Sequence, residues 1–159
     1  MIRILLISAV VIVLAGSGGL RSQTAPSNEI WKLNVKKSKY EPGPPPKSQT
    51  RMIQTNGKNE KYEVEGVTAS GNHIAWTFDV HYDDKDYPIR GLGAPRGADT
   101  IAVTRLNPNT TQTTLKKAGK VVQTARNVVS KDRKVLTITV DETDASGKHF
   151  HNVNIFERQ

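Results

Sequence analysis

The chain contains no cysteine. That excludes a disulfide framework, a thiol nucleophile, a cysteine-ligated zinc and a cysteine-linked lipid anchor. The fold must therefore hold by packing and strand pairing alone. Aromatic residues are few, 6% of 159 residues, and few aromatics in a short chain fit a β-domain filled by its own side chains. No segment carries a helical apolar stripe. No Gly-x-Ser-x-Gly elbow occurs outside the amino-terminal segment. The run Gly91-Leu92-Gly93-Ala94-Pro95-Arg96-Gly97 resembles a phosphate loop only in its glycines, since it lacks the lysine and the following helix. It reads as a loop and a candidate mobile rim. Paired carboxylates fall only in turns and at strand ends. Acid–base chemistry needs two of them held together in a pocket, so the chain reads as a non-enzyme with no cofactor.

Only one long apolar run exists, Ile4 to Ala15. It follows Arg3 and precedes the small residues Gly16, Ser17, Gly18 and Gly19. This is the layout of a secretory signal peptide, and the run is short of the ~20 residues of an ordinary membrane span. The expectation is a signal peptide and short spacer over residues 1–25, a single domain over 26–159, and a periplasmic or secreted location. An uncleaved anchor is the alternative. Membrane contact is then limited to translocation.

Basic residues are in excess, with a formal net charge of +8. Removing Arg3 and Arg21 leaves 21 basic against 15 acidic residues, or +6, for the rest. A positive surface attracts anions in general. Here lysines and arginines are spread over many turns and strands, without the aromatic–basic signatures of nucleic-acid modules. The expected partner is a small apolar or anionic ligand rather than nucleic acid, and the expected state is a monomer.

What the sequence does have is alternation. Ile74, Trp76, Phe78, Val80 and Tyr82 share one face; His73, Ala75, Thr77, Asp79 and His81 share the other. A period of two over ten residues specifies a strand. Leu136, Ile138 and Val140 repeat the logic opposite Thr137, Thr139 and Asp141. Turn signals such as Asn56-Gly57, Ser70-Gly71-Asn72, Asn107-Pro108-Asn109, Ala118-Gly119 and Ser146-Gly147 recur at short intervals. Gly and Asn accept positive φ, and Asp and Ser bond to their own backbone. The pattern predicts strands near 30–35, 48–55, 60–67, 73–82, 86–91, 99–106, 110–117, 120–129, 134–142 and 149–157. Links this short favour an antiparallel meander. The proline-rich stretch Glu41 to Lys47 reads as a stiff crossover, with a docking rim as the alternative. Residues 64–74 and 140–150 match without a gap (Val64/Val140, Ala69/Ala145, Ser70/Ser146, Gly71/Gly147, His73/His149). Either one hairpin solution was used twice, or two related halves build one barrel.

An open sheet of this many strands would leave two exposed edges, and closure removes them. A closed meander can also enclose a cavity. Trp76, Phe78 and Tyr82 are its candidate apolar lining. The repeat would turn Asn152 and Asn154 inward as polar handles; the rival phase buries Val153 and Ile155 instead. Arg105 follows Ile101 and Val103 on one face, and Arg126 shares a face with Val122 and Val128, so either could meet an acidic ligand. His149 and His151 lie on one face and are weak metal candidates, because nothing in the sequence fixes a third ligand.

The start Ile30-Trp31-Lys32-Leu33-Asn34 and the end Asn154-Ile155-Phe156-Glu157-Arg158 resemble the two ends of lipocalin and fatty-acid-binding-protein chains. The resemblance implies a calycin-type barrel closed by Trp31 on the first strand, with Arg158 of the last strand packed beside it. Glu29 stands where lipocalins have glycine. A proline segment replaces the helical lid of the fatty-acid-binding proteins. Asn154-x-Phe156 replaces their Arg-x-Tyr, so that carboxylate-binding pair does not carry over. Trp31 to Asn34 and Ser38 to Pro44 also resemble small secreted bacterial proteins of uncharacterised activity. The reading is an all-β, antiparallel up-and-down meander of 8–10 strands closed into a lipocalin-like barrel, with a β-sandwich as the alternative. The expected function is binding of an apolar or amphipathic molecule. A structural or interaction domain of the cell envelope is the alternative, and a metal-binding or hydrolytic role ranks below both.

Overall fold

The computed structural model describes residues 27–56, 59–143 and 146–159. The predicted signal segment lies outside the described residues.

The strands are β1 (Ser27–Leu33), β2 (Lys39–Glu41), β3 (Ser48–Asn56), β4 (Asn59–Val67), β5 (His73–Val80), β6 (Tyr87–Pro88), β7 (Arg90–Leu92), β8 (Thr100–Asn107), β9 (Thr110–Lys117), β10 (Lys120–Val129), β11 (Val135–Thr143) and β12 (His149–Arg158). Every pairing is antiparallel. Eleven strands follow the order β6-β8-β9-β10-β11-β12-β1-β3-β4-β5-β7, and β2 adds to β12 beside β1. The first strand meets the last: Trp31 faces Arg158 and Leu33 faces Phe156. The meander therefore curls into a nearly closed barrel.

Closure is incomplete at one seam, between β5 and β8, whereas the sequence led to full closure. The short segment 87–92 crosses that gap. Tyr87 and Pro88 pair with β8, and Arg90 to Leu92 pair with β5. Between them Ile89 donates its N–H to Asp99 O at 2.8 Å. Side chains do the remaining sealing. Trp76, Phe78 and Val80 of β5 pack in one buried cluster with Ile101 and Val103 of β8 and Leu115 of β9. A second cluster joins Trp31, Leu33, Leu136, Ile138 and Phe156, where the first strand meets the last two. Trp31 and Phe156 are 0% exposed, and full burial of a large apolar side chain is worth about 2–3 kcal/mol each before entropy is counted.

Local chemistry explains the connections. Ala118 (φ 48°) and Gly119 (φ 76°) form the two-residue turn between β9 and β10, the left-handed pair whose twist suits a hairpin. Gly71 and Gly147, matched in the repeat, both take positive φ in the turns after β4 and β11. Val64 and Val140, also matched, are both buried.

One hairpin end carries the start of β1, the end of β12 and the β8–β9 and β10–β11 turns. We call it the near end. The far end carries the proline segment and the β7–β8 loop. That loop is not a free rim. Its short helical turn Pro95–Gly97 places Arg96 (φ 53°) against Glu142 of β11, with Nε donating to Oε1 at 2.8 Å. Nη2 of Arg96 also bonds Glu142, and the guanidinium lies 5.2 Å from the Phe150 ring centre. A strap from the seam is thus pinned to the opposite wall.

Candidate ligand-binding site

The inner face of the barrel follows from register, because directly opposed residues point to the same side of a sheet. Arg51 of β3 opposes Trp31 on one side and Val64 on the other, and Val64 opposes Trp76. Trp31, Arg51 and Trp76 of this transverse row border an interior cavity of about 340 Å³. Phe78, Ile101, Val103, Leu115, Leu136 and Ile138 supply most of its apolar wall. Asn127 contributes a polar side chain, tied by its Nδ2 to Thr113 Oγ1 at 2.7 Å and Thr111 Oγ1 at 3.1 Å.

Charge lies at two depths. Towards the near end, Glu60 Oε2 accepts from the hydroxyl of Tyr62 at 2.8 Å and from that of Tyr82, and the two phenol oxygens are 3.0 Å apart. Burial, then the neighbouring Tyr82 and Glu60, raises the Tyr62 pKa well above its usual value. Burial and the bond to Glu60 raise Tyr82 as well. The Arg105 guanidinium lies 3.9 Å from the Tyr82 ring centre. Glu29 is held by Arg133 at 2.5 Å and Arg158 at 3.3 Å.

Deeper in, Arg51 stacks 5.0 Å from the centre of the Phe156 ring. Its Nη2 donates to Gln49 Oε1 at 3.4 Å, and its Nε has no acceptor. Burial lowers its pKa to about 10, so it stays a cation at neutral pH. The indole N–H groups of Trp31 and Trp76 are likewise buried without an acceptor.

The structure brings Trp76, Phe78, Tyr82 and Arg105 together on the cavity wall with Trp31. Arg158 lies over Trp31, its Cζ 6.0 Å from the ring centre. Asn152 and Asn154 share the inner alternation with Phe156 but stand off the cavity. Their amides are used structurally: Asn152 Oδ1 accepts from the Glu41 N–H at 3.2 Å, and Asn154 Oδ1 accepts from Tyr40 OH at 2.7 Å. Both bonds fasten β2 to β12.

Arg126 is exposed and stands apart from this group. A bulge between Val121 and Gln123 shifts the β10 pairing. Gln123, Ala125 and Asn127 then take the cavity-facing positions, and Arg126 goes to the outer face. His149 and His151 both approach Asp141, at 3.4 and 2.9 Å. Among the described residues no group of three or more His, Asp or Glu is arranged to hold a metal ion.

Sequence reasoning did not find Arg51, Glu60 or Tyr62. Glu60 and Tyr62 were within reach, since Glu60, Tyr62 and Val64 alternate with Lys61, Glu63 and Glu65. Arg51 sits in a strand of mixed polarity, and only its pairing with Trp31 and Val64 puts it inside. No protein-family model, no curated protein and no solved structure matches this chain.

Proposed function

We propose that this chain is an exported, lipocalin-like binding protein, without catalytic activity of its own, that holds one small apolar or amphipathic molecule inside the barrel. The carrying observation is the cavity of about 340 Å³ walled by Trp31, Trp76, Phe78, Ile101 and Leu115. Its size falls in the range of small-molecule sites, about 300–1,000 Å³, which pair an apolar wall with a few placed polar groups. The apolar amino-terminal run supports export. The non-catalytic envelope-domain reading draws less support: the exposed large apolar residues Ile30, Leu92, Leu106 and Val121 stand on four different strands, and scattered apolar residues are ordinary on any surface.

The chain has two tryptophans, and both line the cavity. Titration with the neutral fluorophore N-phenyl-1-naphthylamine should therefore quench tryptophan emission and enhance probe emission, saturating at one probe per chain. A linear response without saturation would count against interior binding.

A further inference from the structure

The interior holds a cation with no anion beside it. Arg51 borders the cavity and keeps part of its surface accessible there. The charged or ionisable groups close enough to act on it are Tyr62 and Tyr40, both neutral phenols at physiological pH. No carboxylate among the described residues forms an ion pair with it. Its one protein hydrogen bond, to Gln49, is 3.4 Å long, beyond the usual 2.7–3.2 Å range. Three other barrel arginines differ: Arg133 and Arg158 share Glu29, and Arg96 binds Glu142. Arg105, also on the cavity wall, is exposed and lies over the Tyr82 ring towards the near end.

A guanidinium removed from water is unfavourable unless it is paired. It presents a fork of N–H donors that fits a carboxylate with two parallel bonds. The Phe156 ring supports one face of that fork. On either side of Arg51 the inner face is apolar: Trp31 to one side, Val64 and Trp76 to the other. A ligand seated here places its head in a polar spot inside an otherwise apolar chamber. There is one cation at this depth, so a singly charged head is neutralised and a doubly charged phosphate is not.

We propose that Arg51 is the head-group site of the barrel, and that the preferred ligand is a carboxylate-bearing amphiphile whose acid group pairs with Arg51 while its apolar part lies along Trp76, Phe78, Ile101 and Leu115. This rests on the interior-binding reading above. It names the class of molecule and the residue that selects it.

The test uses N-phenyl-1-naphthylamine as the reporter and three competitors of equal chain length: octanoate, 1-octanol and octylamine. For the wild-type protein at pH 7, octanoate should displace the probe at a concentration at least tenfold below that of 1-octanol, about 1.4 kcal/mol of head-group preference. Octylamine should compete worst. In R51Q the ratio between octanoate and 1-octanol should fall to within about twofold. K32Q removes one charge from the exposed outer position beside Trp31 and should keep the preference. Equal competition by octanoate and 1-octanol in the wild type overturns the proposal, and that comparison needs no variant. So does an octanoate preference that survives in a folded R51Q. If the probe itself fails to bind the wild type, interior binding fails, and the Arg51 site with it.

Discussion

Replacing Arg51 by methionine should make the ligand-free protein more stable. Burial holds the pKa of Arg51 well below the ordinary guanidinium value, at about 10. At 1.36 kcal/mol per pH unit, this amounts to about 3 kcal/mol by which folding disfavours the cation. Because burial disfavours the cation only in the folded state, the penalty is fully present at every pH below about 10 and is relieved only above it. Methionine keeps an unbranched chain of similar reach and carries no charge. Against the gain stands the loss of the stack on Phe156 at 5.0 Å, worth about 0.5–2 kcal/mol. The bond to Gln49 at 3.4 Å adds little. The net expectation is a stabilisation of about 1–2 kcal/mol at pH 7. For a domain of this size that raises Tm by roughly 3–8 °C. Scanning calorimetry and urea unfolding on protein stripped of bound lipid would read it, with an unchanged urea m value confirming that the same fold unfolds. A lower Tm for R51M would refute the reasoning, because it would mean that the charge is matched within the protein itself. Octanoate should then raise the Tm of the wild type by mass action and move R51M less.

At the seam, Gly91 takes φ +100°, and a Cβ there would lie 2.2 Å from Ala75 O; G91A should cost about 1–3 kcal/mol in urea unfolding, and a loss below about 0.5 kcal/mol would show that the β5–β7 pairing does not hold the barrel. The tyrosines set the alkaline limit. All four, Tyr40, Tyr62, Tyr82 and Tyr87, have raised pKa values, with burial as the first cause in each. A phenol whose pKa is higher folded than unfolded gives stability that is complete below pH 10 and is lost as pH rises beyond it. Tyrosinate absorbance at 295 nm should therefore appear together with loss of the β-sheet circular dichroism signal, and a full tyrosinate signal near pH 10 with that signal intact would contradict the placement of Tyr62 and Tyr82.

Much of the barrel was legible in the sequence, strand by strand. Residues 73–80 announce themselves because each inward residue is large and apolar and each outward one is not. That phase put Trp76, Phe78 and Tyr82 on one face, the alternation of Ile101 and Val103 added Arg105, and of the seven ligand-binding residues expected these four border one cavity. Alternation failed where the backbone departs from it. On β10 it was counted straight through Val122, and the bulge there reverses inside and outside for every later residue, so Arg126 faces outward. A single extra residue flips a strand's faces without leaving a mark in composition. β2 escaped notice because three residues followed by proline carry too short a pattern to register.

Composition and periodicity, then, determined the all-β class, the positions of the longer strands and most of the inward face, because a strand's two faces are set by its own residues. The tertiary structure alone decided which strands meet, where the seam falls, that Arg96 pins the β7–β8 loop to Glu142, and that Arg51 lies among Trp31, Val64 and Phe156. Those are facts of register between segments as much as 127 residues apart, as Trp31 and Arg158 are. No local stretch of chain encodes the electrostatic environment that its distant partners create.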